Sequence, residues 1–195
     1  MLSRQVLVLV AGFALLIAGG LVAPYLIGEA QEASIEQAMT KGGYVIYLRH
    51  ASRLSGPRER FDAATPLAEF SDCGQQRNLS ETGRAEAVRI GRTLEAIRVP
   101  IGAVYALPLC RTRETAELAF GRARLSAGFY DPRFVAHVLA QRPEAGTNTV
   151  LVDTEDQVRR LAGVALKPGE AAIFKPDGKG GFDYHGTLDQ DDLIR

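Results

Sequence analysis

The sequence predicts an α/β domain, a three-layer sandwich built on a mainly parallel central sheet. Its 195 residues, 46% of them hydrophobic and 24% charged, are enough for one core-forming domain. Several short runs of β-forming residues show no polar alternation, which is typical of strands covered on both faces. These runs alternate with segments of helical periodicity, the order expected of a sheet packed between helices.

The first predicted strand covers residues 44–48, a run of tyrosine, valine, isoleucine and leucine. A long loop follows over residues 51–77, rich in charges, glycine and proline, and loops of this length are usually kept for function. Ser80 can cap the next helix, which Pro100 ends.

The second half of the chain repeats the alternation. A glycine closes one predicted helix, and an Asp-Pro pair of the kind that caps and opens helices begins another. We predict strands at residues 103–107, 149–152 and 171–174, a last short strand near Phe182, and helices at residues 112–120, 131–141 and 155–161.

Charge and cysteine content exclude several classes of function. The 23 basic and 23 acidic residues give a net charge of zero, so no overall field attracts nucleic acid. Cys73 and Cys110 lack the neighbouring ligands that a zinc site needs. We therefore expect no nucleic-acid partner, no metal and no cofactor.

The N-terminus predicts export. Residues 6–27 carry no charge, Arg4 precedes them, and small residues at 28–30 offer a cleavage point. The run also reaches the roughly 20 residues that span a bilayer. Residues 1–30 are thus a signal peptide or a membrane anchor, residues 31–42 a helix or tether, and residues 43–195 the domain. Either alternative places the domain in the periplasm or on the extracellular face, soluble or anchored.

Export would put the two cysteines in an oxidising compartment. A bond between Cys73 and Cys110 would close a loop of about 38 residues and stabilise the fold by roughly 4 kcal/mol. Two buried thiols are the alternative.

Polar residues follow three of the predicted strands. Arg49 and His50 leave the first strand, Arg111 comes shortly after the second, and Asp153 and Thr154 leave the third. Ligands of open α/β sheets bind beyond the carboxyl ends of the strands. Because arginine matches phosphate oxygens and histidine can act as a nucleophile or an acid-base, this order predicts an anion site.

Four ordered segments resemble the histidine phosphatase superfamily, the group that includes the cofactor-dependent phosphoglycerate mutases. They are YVIYLRHA at residues 44–51, QRNLSETGRAEA at 76–87, PLCRTRETA at 108–116, and NTVLV at 148–152 with GEAA at 169–172. The resemblance covers about residues 43–177. It implies the phosphoglycerate mutase-like sandwich fold and a phosphorylated or otherwise anionic small ligand.

The resemblance also assigns roles. His50 would be the nucleophile that carries the phosphoryl group, and Arg49 and Arg111 would clamp its oxygens. The second histidine of the family falls at Thr154, which keeps one hydroxyl donor for the phosphate. Losing one transition-state donor costs about 3 to 4 kcal/mol, a factor of roughly 100 to 1000 in rate. Asp153 would add repulsion, on the order of 4 kcal/mol for a contact at 4 Å.

Other residues are candidates for the missing roles. His137 and His185 are the histidines that could replace the second imidazole. Glu59, Asp62 and Asp131 are candidates for the proton donor because they lie on predicted loops.

Two functions follow as hypotheses. The first is an exported phosphomonoester hydrolase, impaired by the loss of the second histidine. The alternative is a catalytically inactive module on the same fold that binds an anion or an unidentified protein partner. A mutase needs the full constellation, so mutase activity is not expected.

Overall fold

A computed structural model describes residues 35–193 of the chain. Its centre is a six-stranded sheet in the order β3-β2-β4-β1-β5-β6. The strands are β1 (Val45–Arg49), β2 (Ile101–Ala106), β3 (Arg124–Leu125), β4 (Asn148–Asp153), β5 (Ala171–Pro176) and β6 (Phe182–Leu188). The helices are α1 (residues 35–39), α2 (Glu81–Ala96), α3 (Cys110–Phe120), α4 (Pro132–Ala140), α5 (Glu155–Ala162) and α6 (Gln190–Leu193).

The sheet is parallel in its first four positions and antiparallel at one edge. β4 pairs in parallel with both β1 and β2, and β3 pairs in parallel with β2. β5 runs antiparallel to β1, and β6 antiparallel to β5. The carboxyl ends of β1, β2 and β4 therefore meet at one rim, as the fold prediction requires.

Both faces of the sheet are covered, because successive residues of a strand point to opposite sides. Val45 and Tyr47 of β1 join a core with residues of α4 and α5. Ile46 and Leu48 join the opposite core, with residues of α1, α2, α3 and α6. The predicted three-layer α/β sandwich is confirmed.

α2 approaches the chain that leaves β1 very closely. Its N-cap, Ser80, accepts a hydrogen bond of 3.0 Å from the amide of Gly83. A Cβ atom on Gly83 would lie 1.8 Å from the carbonyl oxygen of Ser52. Glycine is therefore required here for the helix to pack against the segment after His50.

The packed domain includes residues that we expected to form a tether. Ile35 and Met39 lie four apart in α1, share one helix face and are buried in the core. The predicted export segment at residues 1–30 lies outside the described residues. Within residues 35–193, every helix is too short or too polar to span a membrane.

Candidate active site

A cavity of about 190 Å³ lies at the rim where β1, β2 and β4 end. Arg49 is the last residue of β1 and His50 follows it, Arg111 is the second residue of α3, and Thr154 is the N-cap of α5. All four line the cavity. The structure thus brings together the four residues that the sequence proposed for the site.

The His50 imidazole is buried and its tautomer is fixed. Its Nδ1 lies 2.8 Å from the carbonyl oxygen of Ala51, an acceptor, so Nδ1 carries the proton and Nε2 the lone pair. Burial and the nearby charge of Arg111 lower the pKa of His50 to about 3. The imidazole is therefore neutral at physiological pH, as a nucleophile must be.

Within the part of the chain that the structure describes, Arg49 and Arg111 each have one buried guanidinium nitrogen without a hydrogen-bond partner. Arg49 donates from Nη1 to Glu155 at 2.8 Å and to the carbonyl of Leu166, and Arg111 donates from Nη1 to Glu59 at 2.8 Å. The Nε atoms of both arginines are buried without a hydrogen-bond partner. Buried donors are rarely left unpaired in proteins.

Thr154 is held through its backbone. Its amide donates to Oδ1 of Asp153 at 2.6 Å, and its carbonyl accepts from the Tyr47 hydroxyl at 2.7 Å. The side chain makes no capping hydrogen bond to α5, so its hydroxyl stays available to the cavity that it lines.

Asp153 does not line the cavity of His50, although we expected its carboxylate to oppose an anion there. Asp153 is fully buried at the end of β4, and its Oδ1 accepts a hydrogen bond from the Thr154 amide. Burial raises the pKa of Asp153 to about 7. The protonated form that is favoured at lower pH carries no charge to repel a phosphate.

Neither remaining histidine reaches the site. His137 lies on α4, where its Nε2 is 2.7 Å from Nε2 of Gln141. His185 lies on β6 and packs edge-on against the Tyr44 ring, with the centroids 5.4 Å apart. Within the described residues, His50 is therefore the one histidine that lines the cavity.

None of the three proposed proton donors can serve in the cavity, because two of them do not line it and the third is ionised. Asp62 accepts from the amides of the turn at residues 64–65, Asp131 caps α4, and neither lines the cavity. Glu59 does line it. Burial opposes the ionisation of Glu59, but hydrogen bonds from Arg77 outweigh it and lower its pKa to about 2. Glu59 is thus a carboxylate at neutral pH and cannot donate a proton.

Sequence reasoning missed several wall residues. The cavity is also lined by three further arginines and an aromatic hydroxyl, namely Arg53, Arg58, Arg77 and Tyr130. Three carboxylates, Glu59, Glu155 and Asp156, face five arginines, so the wall carries an excess of positive charge. Arg77 belongs to the segment QRNLSETG and could have been found there, whereas the spacing of the others gave no signal.

Comparison with solved structures supports one fold. A protein histidine phosphatase SixA in complex with tungstate matches with a TM-score of 0.52 and 19% identity, over 77% of this chain and 99% of the other. A phosphoserine phosphatase from Entamoeba histolytica, in complex with phosphoserine, matches with a TM-score of 0.52 and 11% identity over the same shares. The chain has the histidine phosphatase fold.

A third structure with this fold, mycobacterial hydrolase 1, matches with a TM-score of 0.51 and 13% identity over 72% of this chain and 94% of the other. No protein-family model matches the sequence, and no curated protein matches it.

On this histidine phosphatase fold a disulfide crosslinks two walls of the site. It joins Cys73, in the loop after β1, to Cys110, the first residue of α3, with the Cα atoms 5.8 Å apart. The amide of Cys110 donates to Oε1 of Gln76 at 2.9 Å. Cys110 precedes Arg111 and Gln76 precedes Arg77, so the disulfide and this hydrogen bond lie next to two arginines of the cavity wall.

Proposed function

We propose that the chain is an exported phosphomonoester hydrolase of low turnover in which His50 is the nucleophile. The observation that carries the proposal is the state of His50, a buried neutral imidazole with Nδ1 bonded to Ala51. It stands beside two arginines whose Nε donors have no hydrogen-bond partner.

The proposed reaction has two steps. Nε2 of His50 attacks phosphorus, the bond from phosphorus to the ester oxygen breaks, and the leaving alkoxide takes a proton from bulk water. A water molecule then attacks the phosphohistidine, the bond from phosphorus to Nε2 breaks, the water's proton passes to the solvent, and phosphate and neutral His50 are released. Arg49 and Arg111 stabilise the negative charge on the phosphoryl oxygens in both transition states.

Low turnover follows from Thr154. A threonine hydroxyl can donate one hydrogen bond but cannot place a positive charge on the phosphoryl group. By analogy with oxyanion donors, the loss corresponds to a factor of roughly 100 to 1000 in rate. Asp153 beside it contributes negative charge as the pH rises above its pKa of about 7.

Export is supported by the disulfide between Cys73 and Cys110, since structural disulfides persist in oxidising compartments. The uncharged run at residues 6–27 supports the same location. A cleaved signal peptide and a retained anchor are both compatible with this proposal.

A second candidate is an inactive anion-binding module, favoured by a specific observation. Within the described residues the cavity contains a single histidine, and its carboxylic acids are paired with arginines. Such a site can bind a phosphorylated ligand without a group that protonates the leaving alcohol.

The experiment restores the missing imidazole. Wild type, Thr154→His and the double variant Asp153→Gly with Thr154→His are assayed on a generic phosphomonoester. We expect wild type barely above background and the double variant faster by about 100-fold or more. His50→Ala in the double variant should abolish the gain.

Two results would contradict the proposal. Brisk wild-type turnover that His50→Ala removes would mean that another residue serves as the second histidine. A double variant that stays inert while still binding phosphate would favour the binding module.

A further inference from the structure

Glu59 is a buried side chain within an exposed stretch of the loop after β1. Residues 54–58 and 60 are exposed, whereas the Glu59 side chain is only 4% exposed. An acidic side chain is rarely buried unless it is paired. Glu59 must therefore have partners strong enough to hold it under the loop.

The partners of Glu59 are two arginines of the cavity wall. Oε1 accepts from Nη1 of Arg111 at 2.8 Å and from the backbone amide of Arg77 at 2.7 Å. Oε2 accepts from Nη2 of Arg77 at 2.7 Å. The carboxylate thus occupies donors that face the same cavity as His50.

Arg111 and Arg77 depend on Glu59 to different degrees. Arg111 belongs to α3 and its side chain is only 3% exposed. Among the described residues, every hydrogen bond that Arg77 donates, from its amide, Nε and Nη2, goes to Glu59. Beside Glu59, Arg58 forms an ion pair with Asp156 whose side chains are 74% and 56% exposed, and exposed pairs of this kind contribute little to stability. An anion that displaced Glu59 would therefore gain the donors of Arg77 as well as Nη1 of Arg111.

The charges of the site favour replacement of the Glu59 carboxylate by an anion with two negative charges. Glu59 brings one negative charge to two guanidiniums. A phosphoryl dianion brings two charges and three oxygens, and so can accept more hydrogen bonds from both arginines. A monoanion such as a carboxylate gains nothing over Glu59, which is already in place.

We propose that Glu59 is an internal competitor for the phosphoryl group, displaced from Arg77 and Arg111 by dianions and not by monoanions. It is therefore a residue that determines which anions the site accepts. The inference rests on the proposed phosphate site and adds the selectivity of that site.

The test compares Glu59→Gln with Glu69→Gln, a control that removes one charge from an exposed position of the same loop. Binding of inorganic phosphate and of acetate is measured by calorimetry and by the shift in melting temperature at pH 7.5. We expect Glu59→Gln to bind phosphate at least tenfold more tightly than wild type. Acetate should raise the melting temperature of Glu59→Gln and not that of wild type or Glu69→Gln.

A substitution at an exposed side chain tests the proposal if Glu59→Gln does not fold. Arg58→Gln breaks the ion pair with Asp156, and the proposal expects tighter phosphate binding because Glu59 is held less firmly. If Arg58 merely attracts anions, its loss weakens binding instead.

The outcomes separate the two claims. Phosphate affinity that is measurable in wild type and equal or weaker in both Glu59→Gln and Arg58→Gln overturns the role of Glu59 alone. Absence of phosphate binding in wild type and in every variant overturns the phosphate site, and the inference with it.

Discussion

Burial acts in opposite directions on the two titratable residues at the ends of β1 and β4. The pKa of His50 falls to about 3 because burial and Arg111 penalise its positive form. The pKa of Asp153 rises to about 7 because burial penalises its negative form. Both residues are therefore held near neutrality at slightly acid pH, which leaves five arginines and three carboxylates as the charged groups of the cavity wall.

The raised pKa of Asp153 makes stability depend on pH. Between pH 4 and pH 7 the folded protein keeps a proton on Asp153 that the unfolded chain, with an ordinary pKa of 3.8, releases. This contribution to stability is present at low pH and is lost as the pH rises through about 7. His50 acts in the opposite sense, since stability from its lowered pKa is lost as the pH falls from 6.5 towards 3.

Asp153→Asn should isolate the contribution of Asp153 to the pH dependence of stability, because His50 titrates in the same way in both proteins. We expect the unfolding free energy of the variant, relative to wild type, to increase by on the order of 4 kcal/mol between pH 4 and pH 8. Urea unfolding at the two pH values measures it. A difference between the two proteins that does not change with pH would show that Asp153 titrates normally in the fold.

Buried strands were the elements that the sequence predicted best. The predicted strand at residues 44–48 corresponds to Val45–Arg49, and the one at 149–152 to Asn148–Asp153. Both have apolar residues on both faces, so the run of β-formers is a strong local signal. The strand Arg124–Leu125 has two residues and pairs at the sheet edge, where no periodicity can develop.

The loop after β1 could not be predicted in the same way. Its conformation depends on contacts distant in sequence, such as that of Glu59 with Arg111, 52 positions away. Local sequence records the charges of such a loop but not their partners. The sequence alone therefore suggests Glu59 as a proton donor, whereas in the structure its carboxylate accepts hydrogen bonds from Arg77 and Arg111.

Removal of the disulfide should affect this loop and α3 together. For Cys73→Ser with Cys110→Ser we expect a loss of about 4 kcal/mol in unfolding free energy. Phosphate binding should also weaken, because Arg111 follows Cys110. Urea unfolding and phosphate titration are the measurements, with reduced wild type as the matched control. Equal unfolding midpoints for oxidised and reduced wild type would contradict the prediction.

At the scale of the molecule, strand polarity assembles the site from distant residues. Parallel β1, β2 and β4 bring their ends to one rim. Antiparallel β5 begins at the same rim, where the amide of Gly169 donates to the carbonyl of His50 at 3.1 Å. The fold class could be predicted because buried strands alternate with helices along the sequence. The four site residues could be predicted because they stand at or after the ends of strands. Among the additional arginines, Arg77 could have been found from its segment, whereas Arg53 and Arg58 lie on the loop after β1, where their spacing gives no signal.

Export can be tested on the full-length chain. Expressed with its N-terminus, the protein should fractionate with membrane or periplasm, and its cysteines should resist alkylation until they are reduced. Cytosolic recovery with two alkylated thiols would contradict both the export and the disulfide. Free thiols in an exported protein would contradict the disulfide alone.

The most direct test of the phosphate site is a crystal structure of the wild type soaked with tungstate. We predict one tungstate in the rim cavity, with an oxygen or the metal within reach of His50 Nε2 and hydrogen bonds from Arg49 and Arg111. Tungstate bound elsewhere, or His50 and Arg111 turned away from a common anion position, would contradict the site.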